Sequence, residues 1–543
     1  MNSSRSAVDD TTGASQGIPD IAVDSEGNFL IVWQDDRNDM DDIFYQRFDS
    51  SATAIGINQQ AEDDQGASSQ EVPSLAVNKE GEFVISWFQR FGADNYIYSQ
   101  KYNQDGTPFG NNIHVNNTSQ IGIVIQPHPA ATAMNDQGKY VVAWESDAEP
   151  HRDDIMFQLY DYDGTPIGEN QAANGDDIVF DNFYPQAVMR EDGNFIITWL
   201  SIPNDLKKYE ICFQRFDGNG NRIGDIQVVN DEPNDVQPFY SSICMTDNGD
   251  FIISWTEEQE DYRFNDIKFQ IYDSSSAAVG NIQKVLINDD IECRPSYPQI
   301  ACNNDGRFTI VWHDNRNGDY DIFYQIYDKT GTPIGENHKV NDNSNNHNQL
   351  NPSLTMDSAG NLFFAWNDYR FGEENPDIIG QKAAADGTLL GNNVRLVEPG
   401  PNFGEKNPIL SSNDNGIFLT WQDNRRSKGW DIYAKAFTWD WTGLTGIKYN
   451  EPNDSKNEIL LQNYPNPFHN NTNIAIYSNT NRQAQLEIYD LLGRKIWEKN
   501  LFLISNQNMI IKLSTKEWPV GIYFYKLKSA SGQEIIKKGL LLR

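Results

Sequence analysis

The sequence predicts an all-β chain, an eight-bladed β-propeller followed by a small C-terminal β-sandwich, and three observations predict it. A tryptophan recurs at Trp33, Trp87, Trp144, Trp199, Trp255, Trp312, Trp366 and Trp421, at intervals of 54 to 57 residues. Each closes a short apolar run such as FLIVW, FVISW or FTIVW, and each is followed after a polar loop by a run of the type DIFYQRF. Near the C-terminus the period stops and shorter alternating segments replace it. Self-similarity at a fixed period is the mark of a repeat architecture, and four short strands per period, polar outward, describe a propeller blade.

Within each period the first strand is a short apolar piece (IAV, LAV, SLTM), preceded in six copies by Pro19, Pro73, Pro185, Pro298, Pro352 or Pro408. Proline has no N–H to give a ladder, so it is expected to start that strand. Eight residues after each of these prolines stands a glycine, Gly27, Gly81, Gly193, Gly306, Gly360 or Gly416, and Gly138 and Gly249 continue the series. An Asn or Asp three residues before it (Asp24, Asn78, Asn135, Asn303, Asp357, Asn413) suits a hairpin turn in which the side chain caps and glycine takes positive φ. The tryptophan run is the second strand. The third is DIFYQRF from Asp42, DIMFQLY from Asp154, EICFQRF from Glu210, DIKFQIY from Asp266 and DIFYQIY from Asp321. A turn of the type DxxGTPIG, at Asp161 to Gly168 and Asp328 to Gly335, leads to a polar outer strand.

The eighth copy ends after its third strand, Asp431 to Phe437, whereas the N-terminal SAVDDTTGASQGIP resembles the links that precede other copies. Residues near Ala7 to Thr11 are therefore expected to complete the last blade and close the ring, which removes the exposed edges of an open array. This reading places the propeller at residues 1–437, a linker at 438–458 and the second module at 459–543.

Of 543 residues, 42 are Lys or Arg and 78 are Asp or Glu, a formal net charge of −36. Residues 459–543 hold eleven basic and five acidic side chains, which leaves −42 on residues 1–458. Such a field repels phosphate backbones and argues against a nucleic-acid partner. No apolar stretch is long enough for a transmembrane helix. Four cysteines, Cys212, Cys244, Cys293 and Cys302, are too few for a disulfide scaffold; Cys244 and Cys302 on core strands read as buried thiols, with a Cys293–Cys302 bridge as the alternative. The seven histidines share no repeat position, and no CxxC pair, GxSxG, HExxH, P-loop or dinucleotide fingerprint occurs.

The pattern closest to a site is Trp-x-Asp-x-Arg in the loops after the second strand: Asp35 and Arg37, Asp314 and Arg316, Asp368 and Arg370, Asp423 and Arg425. Guanidinium groups beside carboxylates bind sugar hydroxyls or anionic glycans, and paired carboxylates serve glycosidases. The same pair repeated from blade to blade also reads as an ion pair that holds the loop, because a catalytic set is asymmetric. The Asp-box turn of sialidase-like propellers is absent. Acidic stretches, Asp35 to Asp42 and Asp161 to Gly164, offer oxygen ligands to calcium without completing an EF-type loop, so no cofactor is expected.

The C-terminal segment carries Tyr464-Pro465-Asn466-Pro467-Phe468, the run IYDLLGR with Gly493 and Arg494, Gly521-Ile522-Tyr523-Phe524-Tyr525, and a last strand with Lys537 and Lys538. These segments resemble the C-terminal sorting domain of the type IX (Por) secretion system of Bacteroidota and relatives, with one departure at His469-Asn470-Asn471. The resemblance implies a signal peptide ahead of MNSSRSAVDD, which itself has no such apolar run, partnership with the secretion machinery, and a protein released or held at the outer surface. Two functions fit: a secreted propeller that binds a glycan, protein or other surface ligand, or a secreted carbohydrate-active hydrolase.

Overall fold

The computed structural model describes residues 5–6, 14–38, 40–61, 68–91, 94–116, 120–121, 129–149, 152–175, 180–203, 209–230, 237–258, 265–285, 293–342, 347–370, 372, 375–397, 404–425, 429–439, 459–464, 471–478, 481–491, 493–503, 507–516, 518–529 and 534–541. The chain forms two compact units, Met1–Ile447 and Lys448–Arg543. The first consists of eight antiparallel sheets, seven of four strands and one of five among the described residues, each containing one recurrent tryptophan. We number the blades by that residue, from Trp33 in blade 1 to Trp421 in blade 8.

Blade 1 runs Gln16–Val23, Phe29–Asp35, Asp42–Phe48, Ala54–Gln60, and the others repeat its order. The second and third strands are almost wholly buried and the fourth is mostly exposed, as a blade flanked by neighbours requires. All eight tryptophans are buried. Each packs against the preceding blade: Trp87 lies with Leu30, Val32 and Tyr45 of blade 1, and Trp33 lies with Phe418 and Ile432 of blade 8. An interior tryptophan covers roughly 200 Å² of its own surface, worth about 5 kcal/mol of gross transfer energy.

Blade 1 therefore touches blade 8 and the ring is closed. Arg5–Ser6 pairs with Asp431–Phe437, in the register Arg5↔Ala434 and Ser6↔Tyr433; residues 7–11 lie outside the described residues. At the hairpin turns Asn78, Asn135 and Asn303 each donate through Nδ2 to a backbone carbonyl of the next blade, and Asn413 donates to the Asp24 carbonyl at 2.8 Å across the seam.

Three local expectations are corrected. The prolines do not start the first strand: Gln16–Val23 begins three residues before Pro19, and the ladder slips between Gly17 and Asp20. A bulge absorbs the proline, since it needs no donor there. Gly416, unlike the other seven turn glycines, does not take positive φ; it opens the strand Gly416–Asp423 after a tighter turn from Asn413. Cys244 and Cys302 form a disulfide between the first strands of blades 5 and 6, while Cys212 and Cys293 are buried and outside any disulfide. The cysteines sit at adjoining positions of neighbouring inner strands, where blades 7 and 8 carry a Thr355–Ser412 hydroxyl contact instead.

A glutamine in the third strand is a further blade device. Gln46 donates to the carbonyls of Arg47 and Ile55, bridging the slip between third and outer strands, and Gln100, Gln158, Gln214, Gln270, Gln325 and Gln381 do the same. Blade 8, whose outer strand comes from the N-terminus, has Lys435 there, and its ammonium reaches the Leu396 carbonyl.

The second unit is a β-sandwich. One sheet holds Ile459–Tyr464, Asn471–Ser478 and Gln507–Ser514; the other holds Lys495–Leu503, Arg482–Asp490, Gly521–Ser529 and Glu534–Leu541. Ile474, Ile476, Ile511 and Leu513 of the first meet Leu486, Ile488, Leu501, Tyr525 and Leu527 of the second in one core.

Candidate functional site

The Trp-x-Asp-x-Arg loops are built alike in blades 1, 6, 7 and 8. The indole N–H of Trp33, Trp312, Trp366 and Trp421 donates to Oδ2 of Asp35, Asp314, Asp368 and Asp423 at 2.8, 2.8, 3.0 and 3.1 Å. Oδ1 of the same carboxylates accepts the backbone N–H of Arg37, Arg316, Arg370 and Arg425 at 2.9–3.0 Å. Each guanidinium then folds back onto its own Asp. Those of Arg37, Arg316 and Arg425 also cover Phe44, Phe323 and Tyr433 at 3.9–4.3 Å. The four carboxylates have no exposed surface, whereas the arginine side chains remain 11–24 % exposed. All eight residues thus sit at one end of the blades, with the carboxylates committed inward to a tryptophan and a loop.

Blades 2 to 5 lack the aspartate. Trp87, Trp144 and Trp255 have no hydrogen-bond partner for the indole N–H among the described residues. In blade 5 Glu257 takes the Asp position and pairs with Lys268, which replaces the aromatic residue of the third strand, at 2.6 Å.

The bulges lie at the same end, because Gln16 at the start of the first strand is opposite Asp35. In seven blades the residue at the bulge has φ of 48–56°: Ile18, Val72, Tyr184, Tyr240, Tyr297, Asn351 and Asn407. A non-glycine residue there costs roughly 1–3 kcal/mol and persists only where the surroundings enforce it. In three of the seven a contact from the blade before holds it: the amides of Val72, Tyr184 and Asn407 donate to the side chains of Gln34, Glu145 and Asn367, the residues that follow three of the tryptophans.

Three consecutive blades place a tyrosine at the bulge. Tyr184, Tyr240 and Tyr297 are 51, 51 and 41 % exposed. The rings of Tyr240 and Tyr297 stack 4.0 Å apart, and the Tyr297 hydroxyl donates to that of Tyr240 at 3.0 Å. Tyr297 also lies 5.3 Å from His313, which meets Tyr320 edge-on. Burial pushes the Tyr297 hydroxyl up to about 12, helped by its bond to Tyr240, and pushes His313 down to about 4, so the imidazole is neutral. Tyr184 and Tyr297 are masked in the sequence by the repeat prolines Pro185 and Pro298 beside them, and Tyr240 has Ser241 there; their spacing of 56 and 57 residues is the available signal.

Two carboxyl groups share a buried site between blades 7 and 8. Glu405, where blades 1, 2 and 7 have Gln16, Gln70 and Gln349, is pushed up to about 9 by burial and by the charge of Asp377. Burial raises Asp377 to about 6 against the pull of Arg395, so the pair holds one proton at neutral pH. Both side chains are buried, so the proton has no exposed oxygen to act from. Among the described residues no group of three or more His, Cys, Asp or Glu is arranged to hold a metal ion.

In the second unit Gly493, at φ 76°, and Arg494 form the turn after Arg482–Asp490: both backbone amides return to Asp490, and the Arg494 guanidinium pairs with its carboxylate at 2.7 Å. Gly521 opens the strand in which Tyr523 is buried with its hydroxyl on the Pro519 carbonyl. Lys537 and Lys538 stand opposite Tyr525 and Phe524 in the last ladder. Tyr464 ends a strand, and Pro465, Asn466, Pro467 and Phe468 lie outside the described residues. Residues 462–541 match the family described as secretion system C-terminal sorting domain. The second unit is such a sorting domain. A protein that carries it is a partner of the type IX secretion machinery and is secreted or displayed on the outer surface. No helix among the described residues is long and apolar enough to cross a membrane.

No curated protein matches the chain. Solved structures similar to it include an α-L-arabinanase of Penicillium chrysogenum complexed with arabinobiose (14 % identity, 57 % of this chain and 93 % of that one, TM-score 0.36). The polysaccharide lyase Uly1 is 10 % identical over 72 % of this chain and 94 % of its own, with a TM-score of 0.44. A PL25 ulvan lyase is 10 % identical over 80 % and 94 %, with a TM-score of 0.40.

Proposed function

We propose that this exported propeller acts by binding a ligand on the face that carries the bulges, and that the sorting domain serves only to deliver it there. The observation that carries the reading is the arc of exposed tyrosines at Tyr184, Tyr240 and Tyr297, each on a backbone of positive φ, which at Tyr184 is held by Glu145 of the preceding blade. Strain kept at an exposed position is characteristic of ligand contacts. The carboxylates support the same reading from the other side: Asp35, Asp314, Asp368 and Asp423 are bonded to their own tryptophans, and Glu405 and Asp377 face each other in the interior. The Trp-x-Asp-x-Arg series then contributes loop rigidity and a rim of partly exposed guanidinium groups.

The test is a paired measurement of the purified full chain on a panel of polysaccharides and surface glycoproteins. Binding without release of reducing ends or unsaturated products is expected. Turnover that survives Tyr240→Ala and dies with Glu405→Gln would overturn the binding reading in favour of hydrolysis or elimination.

A further inference from the structure

The bulge is one backbone device repeated with different side chains. Its φ varies only from 48 to 56°, and an adjoining slip in the ladder accompanies it each time. The residues at it are Ile18 in blade 1, Val72 in blade 2, whose side chain is buried, tyrosines in blades 4 to 6, and Asn351 and Asn407 in blades 7 and 8. A purely structural position in a repeat keeps one residue type, as the tryptophan does in all eight blades and the third-strand glutamine in seven. This one keeps its geometry and changes its chemistry, and from blade 4 to blade 8 its side chains are exposed, so there they answer to something outside the blade.

We infer that the bulge residues of blades 4 to 7 form one carbohydrate-binding site, and that its ligand is an uncharged glycan; the inference rests on the binding function proposed above. Tyr240 and Tyr297 stack face to face, so what they offer outward is a ridge of ring edges tipped with hydroxyls, continued by Tyr184 on one flank. Asn351, exposed at the same position of blade 7, adds a side-chain amide. A surface that alternates apolar edges with hydroxyl and amide groups complements a sugar, whose own surface alternates C–H and O–H, whereas an apolar protein ligand would leave those polar groups unpaired. The stack is also preorganised: the phenol–phenol bond and the mutual packing hold both rings before ligand arrives, which lowers the entropy cost of binding. Charge selects among glycans. Residues 1–458 carry −42, which disfavours uronate and sulfate chains, and Glu145 holds the Tyr184 amide directly under the arc.

The experiment is affinity electrophoresis of the full chain through gels containing a neutral β-glucan, xylan or mannan, or an anionic alginate or ulvan, at low and high salt. Retardation by at least one neutral polymer, unchanged by salt, is expected, with a loss of tenfold or more in Tyr240→Ala and Tyr297→Ala. Tyr162→Ala, an exposed tyrosine on an outer turn, is expected to leave retardation as it is. Retardation by anionic polymers alone, abolished by salt, would refute the uncharged ligand while leaving the binding function standing. Neutral-glycan binding that ignores all tyrosine variants of unchanged melting temperature would refute the site. Binding to a surface protein and to no polysaccharide would refute the ligand class, and absence of any ligand in the wider panel would remove the binding function itself.

Discussion

Blades 6, 7, 8 and 1 form one continuous half of the ring and blades 2 to 5 the other, and the two halves solve the same problem differently. In the first, each buried indole N–H is bonded to an aspartate that also pins the following loop through an arginine. In the second, three of the four indoles have no partner among the described residues, and Glu257 with Lys268 is a substitute in one blade. The ring seam and the proton-sharing carboxyl pair lie in the first half, the lone disulfide lies at its border with the second, and two of the three bulge tyrosines lie in the second. A polar network at every indole is therefore not a requirement of the blade; burial of the ring is. The aspartate ties down the loop after the second strand in the half of the ring where the chain ends meet.

The largest expected effect breaks the first half. Asp314→Ala removes the acceptor of Trp312 and strands the Arg316 guanidinium, and should cost about 3–5 kcal/mol in urea denaturation, as loss of one partner of a buried pair does. Gln89→Ala at the matching position of blade 2 should cost less than about 1 kcal/mol. Equal losses would show that the halves do not differ.

Reduction probes the border between them. The Cys244–Cys302 bridge closes a loop of 58 residues, so Cys302→Ser should lower stability by about 2–4 kcal/mol through the entropy of the unfolded chain. Non-reducing peptide mapping should recover Cys244 linked to Cys302 and not to Cys293.

The smallest effect is a slope. Glu405, folded, keeps a proton that the unfolded chain releases near its ordinary value of 4.5. The fold binds more protons than the unfolded state between that value and about 9, so the stability this group contributes is full below 4.5 and falls as pH rises. The fall is at most about 1.4 kcal/mol per pH unit. Glu405→Gln, which restores the residue of blades 1, 2 and 7, should flatten the slope and leave the variant the more stable one at pH 9. A wild type whose stability rises across that window would contradict the shared proton.

Much of the fold was legible because its marks recur at fixed spacing. The turn glycines and the alternating segments of the sorting domain act through neighbours a few residues away, and Trp33 and its seven copies, though each packs against the preceding blade, stand at one position of every period. The proline bulge was not legible. Pro19 and its equivalents state only that no N–H is given to the ladder, which a strand start and a bulge satisfy equally; the contacts that hold the bulge where they are seen, from Gln34, Glu145 and Asn367, come from the preceding blade. The disulfide escaped for the same reason: Cys302 lies nine residues from Cys293 in the chain but beside Cys244 in the ring.

By itself, then, the sequence determined eight blades, their tryptophan core, and a C-terminal domain that sends the protein out of the cell. Periodicity and motif order suffice for these, since a repeat must bury each face against its neighbour. Only the tertiary structure decided which repeated residues look inward and which outward. It turned the four Asp–Arg pairs into loop supports and brought Tyr184, Tyr240 and Tyr297 together at the surface, because closing the ring sets side chains from successive blades against one another across more than fifty residues of chain.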